Sequence, residues 1–327
     1  MRRVIHAVMP AVLIAAGIML FLRRQEPHRT TATEAFNTLC TVTVWGGRDC
    51  EAALRILPER LRALHDTLNV YDPSGELSRL NASAATEDVA CSPLLWECLT
   101  AARNAWKLTD GAFDISVGPL MDLWGFHGRR QSLPDDEEIR RAVECVGLDK
   151  VRFDDERRTV RFTRPGMRLD FGGLAKGIAC DRAAAFLLEN GIDVFLLDFG
   201  GNIRLSEKTP RGQRRFSIGI RDPLHRDSVI AVRQLAGVTV STSGNYERSR
   251  IIGGTRVGHI MDPRTGRPGQ CFRSVTAVTP SGADADALST AVFVGGVPLA
   301  EKIAAALPKT RFLLIREDGS LLEIGEK

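Results

Sequence analysis

From residue 151 onward the chain is a succession of short runs rich in β-branched and aromatic residues, each closed by glycine, proline or aspartate. "KVRFDDERRTVRF" reads as a hairpin with a polar turn, and "DVFLLDFGGNIRL", "RFSIGIRDP", "SVIAVRQL", "GVTVSTSG", "SRIIGG", "RVGHIMDP", "SVTAVTP" and "RFLLIRED" follow as strands. Strands joined by such turns pair antiparallel, because a parallel neighbour needs a long crossover. Helical segments enter singly among them rather than after every strand. That excludes a regular doubly wound array and predicts an α+β domain built on an antiparallel sheet.

The helices carry their own signals. Over 49–69, Leu54, Leu57, Leu61, Leu64 and Leu68 recur at helical spacing, with Pro58 expected to kink the helix. "CSPLLWECLTAARNAWKLTDGAFD" has Ser92 as N-cap, Pro93 at the first helical position and "TDG" as a stop, and "LPDDEEIRRAVECVG" crowds acids at the helix start. "MRLDFGGLAKGIACDRAAAFLLENG" reads as a strand running through a Gly-Gly turn into an alanine-rich helix. A late helix, "SGADADALSTAVFVGG", lies between "SVTAVTP" and "RFLLIRED".

The N-terminal segment differs in kind. After "MRR", residues 4–22 are apolar apart from His6, long enough to span a bilayer as a helix. No small-residue cleavage site and no cysteine follow the run, so an uncleaved membrane anchor over residues 1–25 is favoured over a removed signal. Polar residues 26–34 read as a linker to a body over 35–327. That body, in a chain of 327 residues with 44% apolar content, has ample material for a core. A net charge of +4 with interspersed signs and few aromatics offers no basic stripe or stacking platform, which sets nucleic-acid binding aside. Seven cysteines without C-x-x-C or metal-like spacing read as small buried hydrophobes, not a disulfide framework.

Four constellations could carry chemistry. In "SGADADALSTAV", a helix starting near Ala283 puts Asp286 and Thr290 one turn apart on one face, a hard-oxygen pair suited to Mg²⁺; the alternative is that Asp284 or Asp286 caps the helix. "LDFGGLAKG" delivers Asp170, a glycine turn and Lys176 at a helix start, the layout of a phosphate cradle, though neither a Walker A nor a G-x-G-x-x-G motif; a plain tight turn explains it equally. "STSGNYERSR" and "GHIMDPRTGRP" bring the hydroxyls of Ser241, Thr242 and Ser243 and the imidazole of His259, or merely a turn and a structural histidine. "GAFDISVGPLMDLWGF" sets Asp114 and glycines among apolar residues, a wall for a flat aromatic ligand or simply core.

Together these blocks, with "VYDPSGELSRLN", "LLDFGGNI" and "SVTAV", resemble the FAD:protein FMN transferase family, the ApbE family, in order and spacing from about residue 35 to 320. The resemblance implies a T-fold-like α+β domain and an enzyme that cleaves FAD with Mg²⁺, joins FMN to a threonine of an acceptor protein and releases AMP. It implies an acceptor flavoprotein subunit of a membrane electron-transfer complex, with the anchor holding the catalytic domain on the periplasmic side of a bacterial inner membrane. Carried over by position, the metal falls to Asp286, Thr290 and the Gly173 carbonyl, with Ser289 where some relatives have a further acid. Flavin and pyrophosphate contacts fall to Phe36, Tyr71, Ala112, Phe113, Asp114, Asp170, Lys176, His259 and Ile260. Relatives often read Met-Gly-Thr where this chain has Phe36, Asn37 and Thr38. Lys176 would add positive charge, and His259, with an ordinary pKa near neutrality, is the expected general base, a metal-site aspartate the alternative. With water as nucleophile the same site would be an FAD pyrophosphatase, and without chemistry a flavin-binding protein.

Overall fold

The structure is a computed structural model that describes residues 28–46, 50–225, 227–245 and 248–326. The apolar run at 4–22 and the first linker residues, 26–27, lie outside the described residues.

Most of the expected linker is in fact a strand. β1 (His28–Ala35) pairs in register with β2 (Thr38–Trp45), from His28 opposite Trp45 to Ala35 opposite Thr38. β1 is the edge of the sheet, where polar side chains face solvent on an unpaired rim, so its composition resembles that of a linker. The turn between the two strands holds Phe36 and Asn37 at φ 53° and 57°, the left-handed pair of a type I′ hairpin. For a bulky phenylalanine that conformation is strained.

The remaining elements are α1 (Cys50–Leu68), α2 (Glu76–Ser83), β3 (Val89–Ala90), α3 (Pro93–Leu108), α4 (Gly118–Leu123) and α5 (Asp136–Glu144). Then come β4 (Val151–Asp154), β5 (Thr159–Phe162), α6 (Ala175–Glu189), β6 (Phe195–Phe199), β7 (Asn202–Leu205), β8 (Phe216–Arg221), β9 (Val229–Leu235) and β10 (Thr239–Gly244). β11 (Ser249–Ile252), β12 (Thr255–Gly258), β13 (Ser274–Thr279), α7 (Gly282–Ala306), β14 (Arg311–Ile315) and β15 (Leu321–Ile324) complete the chain. The principal sheet is antiparallel throughout, in the order β1-β2-β6-β7-β10-β13-β14-β15, as the α+β expectation requires.

α1 stays helical through Pro58 and buries all five leucines of its stripe. The Ser92 hydroxyl accepts from the Leu95 amide and Asp135 closes a capping box with Glu138, so both helix starts read from sequence are realised. α7 lies across β10 and β13 and against α6, burying Leu288, Val292 and Phe293 in the main core. Although α7 is apolar enough to suggest a membrane span, it is the core helix, and it breaks at Gly296, whose φ of 77° is non-helical. The β8–β9 hairpin covers the opposite face of the sheet, where Phe216, Ile218 and Ile220 meet Val240, Val278 and Leu313. Five cysteines are buried and all seven are free, as small apolar fillers should be; Cys271 departs from that reading and is exposed.

Candidate active site

Between the helices and the rim of the sheet lies a cavity of about 420 Å³, within the range of small-molecule sites. Phe36, Tyr71, Ala112, Phe113, Asp114, Asp170, Gly173, Lys176, His259, Ile260, Asp286 and Thr290 all line it. Residues from the N-terminal hairpin to the last helix therefore meet in one place, although what each does there is a separate question.

The floor is made where α6 meets α7. Their crossing is close because it is glycine on glycine: a Cβ on Gly177 would lie 2.2 Å from the Gly282 carbonyl oxygen and 2.8 Å from Asp286 Cβ. At that distance the Gly177 amide donates to Asp286 Oδ2 at 3.0 Å, while Oδ1 faces Lys176 Nζ and Ser241 Oγ, each at 3.4 Å. Asp286 is only 3% exposed, so its charge depends on these partners. One turn on, Thr290 Oγ1 donates to the Asp286 carbonyl at 3.2 Å and meets Ser243 Oγ at 3.1 Å. Ser289 bonds the same carbonyl and Ser243, and does not reach the cavity.

The helix start differs from the capping expectation. Ser281, not Asp284 or Asp286, is the N-cap, accepting from the Asp284 amide, and Asp181 of α6 accepts from the Gly282 and Ala283 amides at 2.7 and 2.9 Å. The close crossing is what lets a carboxylate from the neighbouring helix satisfy those donors. Asp286 is thereby left free of capping. Asp284 sits beside Asp181, and burial, then that like charge, raises its pKa.

The glycine turn forms the opposite wall. The segment before it is not the expected strand: it makes one isolated bridge, Val117 to Arg168, with the Asp170 amide donating to the Ile115 carbonyl at 2.7 Å, and a side chain holds the residue between. The Asn81 carboxamide accepts from the Leu169 amide at 2.8 Å and donates to the Leu169 carbonyl at 2.9 Å, standing in for a strand neighbour. Asp170 Oδ1 then accepts from the Gly172 amide at 2.6 Å, which shapes the turn. A Cβ on Gly173 would meet Phe113 at 3.2 Å and Thr290 Oγ1 at 3.4 Å, so only glycine brings that backbone up to the α7 hydroxyl without displacement. Asp114 braces the same region, its two carboxylate oxygens accepting from the Ser116 and Leu148 amides at 2.7 and 2.9 Å, and burial raises its pKa.

Aromatic groups form the rim. Phe36 stands edge-on to His65, whose Nδ1 accepts from the Phe36 amide at 3.2 Å. Tyr71 is 54% exposed and stands edge-on to His127. His259 Nδ1 lies 2.9 Å from the Arg248 carbonyl; a carbonyl only accepts, so Nδ1 carries the proton and Nε2 is the basic nitrogen. The expectation that His259 titrates near neutrality is not met. Burial pushes its pKa down to about 4, the Arg248 and Lys176 charges adding to the effect against the pull of the Arg248 carbonyl and Asp170.

His127, Asp122, His65 and Arg248 were not foreseen as parts of this region. Arg248 lies inside the quoted "STSGNYERSR" and lines the cavity, but nothing in its spacing marks it. No group of three or more His, Cys, Asp or Glu side chains suited to a metal occurs among the described residues. A donor set of one carboxylate, one hydroxyl and one backbone carbonyl is nevertheless proper to a hard cation that keeps part of its water shell, and the Asp286, Thr290 and Gly173 wall fits it.

An antiparallel α+β body with oxygen donors and an ammonium on the floor of one cavity and aromatic rings on its rim defines a class already represented among solved structures. The crystal structure of the ApbE protein from Thermotoga maritima matches with a TM-score of 0.83 and 30% identity, over 91% of this chain and 97% of that one. The ApbE family model matches residues 36–314, and the chain belongs to the ApbE family. A relative from Rhodobacter capsulatus described as an FAD:protein FMN transferase is 34% identical over 97% of this chain, which spans 61% of that relative's length. Another of the same description, from Klebsiella pneumoniae, is 33% identical over 76% of each chain.

Proposed function

We propose that this protein is an FAD:protein FMN transferase, which cleaves the pyrophosphate of FAD, joins FMN to a threonine hydroxyl of an acceptor protein and releases AMP. The observation that carries this reading is the meeting of Asp286, Thr290 and Lys176 on the floor with Gly173 on the facing wall of one cavity rimmed by Phe36 and Tyr71. The descriptions of the relatives supply the reaction type.

Asp286, Thr290 and the Gly173 carbonyl would hold Mg²⁺, which when bound supplies charge neutralisation at the pyrophosphate. Lys176, now against Asp286, has the reach and the charge to bind a phosphate oxygen beside it. Phe36, Tyr71, Ala112, Phe113 and Ile260 offer apolar surface to the isoalloxazine. In the transfer, the acceptor threonine oxygen forms a bond to the flavin-side phosphorus, the bond from that phosphorus to the bridging oxygen breaks, and AMP leaves. The threonine proton passes to a base; His259 Nε2, neutral and unprotonated at physiological pH, is the group this reading assigns. Positioning and charge do most of the work in such a transfer.

The family resemblance supports an acceptor that is a flavoprotein subunit of a membrane electron-transfer complex and a catalytic domain on the periplasmic face of the inner membrane, and the apolar run at 4–22 supports an anchor there. Incubation with FAD, Mg²⁺ and a threonine-containing acceptor domain, followed by mass spectrometry, tests the reading. Covalent FMN with AMP supports it. AMP with free FMN makes the protein a pyrophosphatase, and neither product makes it a flavin binder.

A further inference from the structure

His127 does not line the cavity, yet both of its ring nitrogens are committed to carboxylates: Nε2 to Asp170 Oδ2 at 2.6 Å and Nδ1 to Asp122 Oδ1 at 2.8 Å. Ionised carboxylates only accept, so both nitrogens carry protons and the ring is an imidazolium. Its side chain is 8% exposed. Burial by itself would lower its pKa, but the hydrogen bonds and charges of the two carboxylates outweigh that and lift it to about 9.

The contacts continue on both sides. Asp122, on α4, uses its second oxygen to hold Arg168 at 2.6 Å. Asp170 uses its second oxygen for the Gly172 amide at 2.6 Å, the bond that shapes the glycine turn. The ring of Tyr71 stands edge-on to the imidazolium with centroids 5.5 Å apart. One buried cation thus touches a carboxylate of the cavity wall and the aromatic on the rim.

We propose that His127 is a positioning residue: clamped between Asp122 and Asp170, it fixes Asp170 and thereby the turn that presents the Gly173 carbonyl and leads into Lys176, while its ring edge sets Tyr71. This rests on the reading of the cavity as an FAD site. Without the imidazolium, the largely buried Asp170 carboxylate loses its one cationic hydrogen-bond partner among the described residues, and its hold on the Gly172 amide weakens. Glutamine at 127 can donate to one carboxylate but supplies neither the charge nor the second donor.

The test uses the full chain and FAD as probe, following quenching of flavin fluorescence with Mg²⁺ present, for the wild type, His127→Gln, Asp170→Asn and the double variant. Hydrogen bonds to charged groups are worth enough that each single variant should bind FAD about ten-fold more weakly or worse. Because the two residues act as one unit, the double variant should be no weaker than the poorer single. The ¹⁵N shifts of the wild-type His127 ring at pH 7 should show both nitrogens protonated, and in Asp170→Asn they should move toward the neutral pattern. Wild-type affinity in His127→Gln, fully additive losses in the double variant, or a neutral wild-type ring would each overturn the proposal. If His127→Gln does not fold, the ring shifts and Asp170→Asn decide it. Failure of the wild type to bind FAD would instead remove the functional reading, and the ring shifts would still test the clamp.

Discussion

Replacing Gly177 by alanine should destabilise the protein, against the ordinary effect of that change in a helix interior, where alanine is favoured by about 1 kcal/mol. The new methyl would sit 2.2 Å from the Gly282 carbonyl oxygen, 1.2 Å short of ordinary contact at 3.4 Å, and 2.8 Å from Asp286 Cβ. Neither neighbour is the far end of a flexible side chain, so α6 and α7 must move apart. Such overpacking costs about 1–3 kcal/mol. Separation also stretches the bond from the Gly177 amide to the Asp286 carboxylate, a contact of a kind worth about 1.5–3 kcal/mol. Offset by the helix-propensity gain, the net loss should be about 1.5–5 kcal/mol. Urea unfolding would read it as a lower midpoint at unchanged slope. Gly128→Ala, at a site with nothing within 4 Å of the added carbon, is the control and should leave the midpoint nearly unmoved. A Gly177→Ala midpoint equal to or above that of the wild type would refute the claim that a glycine-on-glycine crossing places Asp286.

His259 and His127 give predictions that depend on pH. If His259 is the base, His259→Asn should lose 10²- to 10⁴-fold in transfer rate, a typical worth of general base catalysis. In the wild type, His259 should impose no inflection near neutrality, only a fall as pH drops through about 4; an acidic limb centred near 6.5 that disappears in His259→Asn would contradict this assignment. For stability, the raised pKa of His127 means a contribution fully present below its unfolded value near 6.5 and lost as pH rises through about 9, at most on the order of 3 kcal/mol. The depressed pKa of Asp170 works in the other direction, its contribution present above the ordinary carboxylate value and lost as pH falls below it. Urea midpoints from pH 7 to 9.5 should decline in the wild type and stay flatter in His127→Gln; parallel declines would show that the clamp does not hold that energy.

Much of the architecture could be read before any coordinates. Strand runs, the leucine stripe of α1, the Ser92 cap and the acid-rich start of α5 are local signals, and they were realised. The errors fell where tertiary context replaces a local rule. β1 is polar because it is an edge, and an edge strand looks like a linker until its partner is known. Around Leu169 the chain reads as a strand, yet only an isolated bridge at Arg168 and one backbone bond at Asp170 tie it to its neighbour, and the Asn81 side chain takes both backbone groups of Leu169, which no periodicity reveals. The cavity residues were legible as ordered blocks, although Lys176 and Asp286 stand 110 positions apart and only the helix crossing joins them. Burial was the hidden variable for the histidines: it takes His259 well below neutrality, whereas two carboxylates lift His127 well above it. Nothing in "LWGFHGRR" announces either Asp170 or Asp122 as a partner.

The most direct test of the central claim is the mass of an acceptor domain after incubation with FAD and Mg²⁺, comparing the wild type with Asp286→Ala. Loss of the one carboxylate on the cavity floor beside Thr290 should remove the cation and leave the fold in place. The account predicts an acceptor carrying one covalent FMN on threonine, with AMP released, for the wild type, and an unmodified acceptor for a folded Asp286→Ala protein. An acceptor modified at the wild-type rate by Asp286→Ala in EDTA-treated buffer, or no modification by the wild type itself, would contradict it.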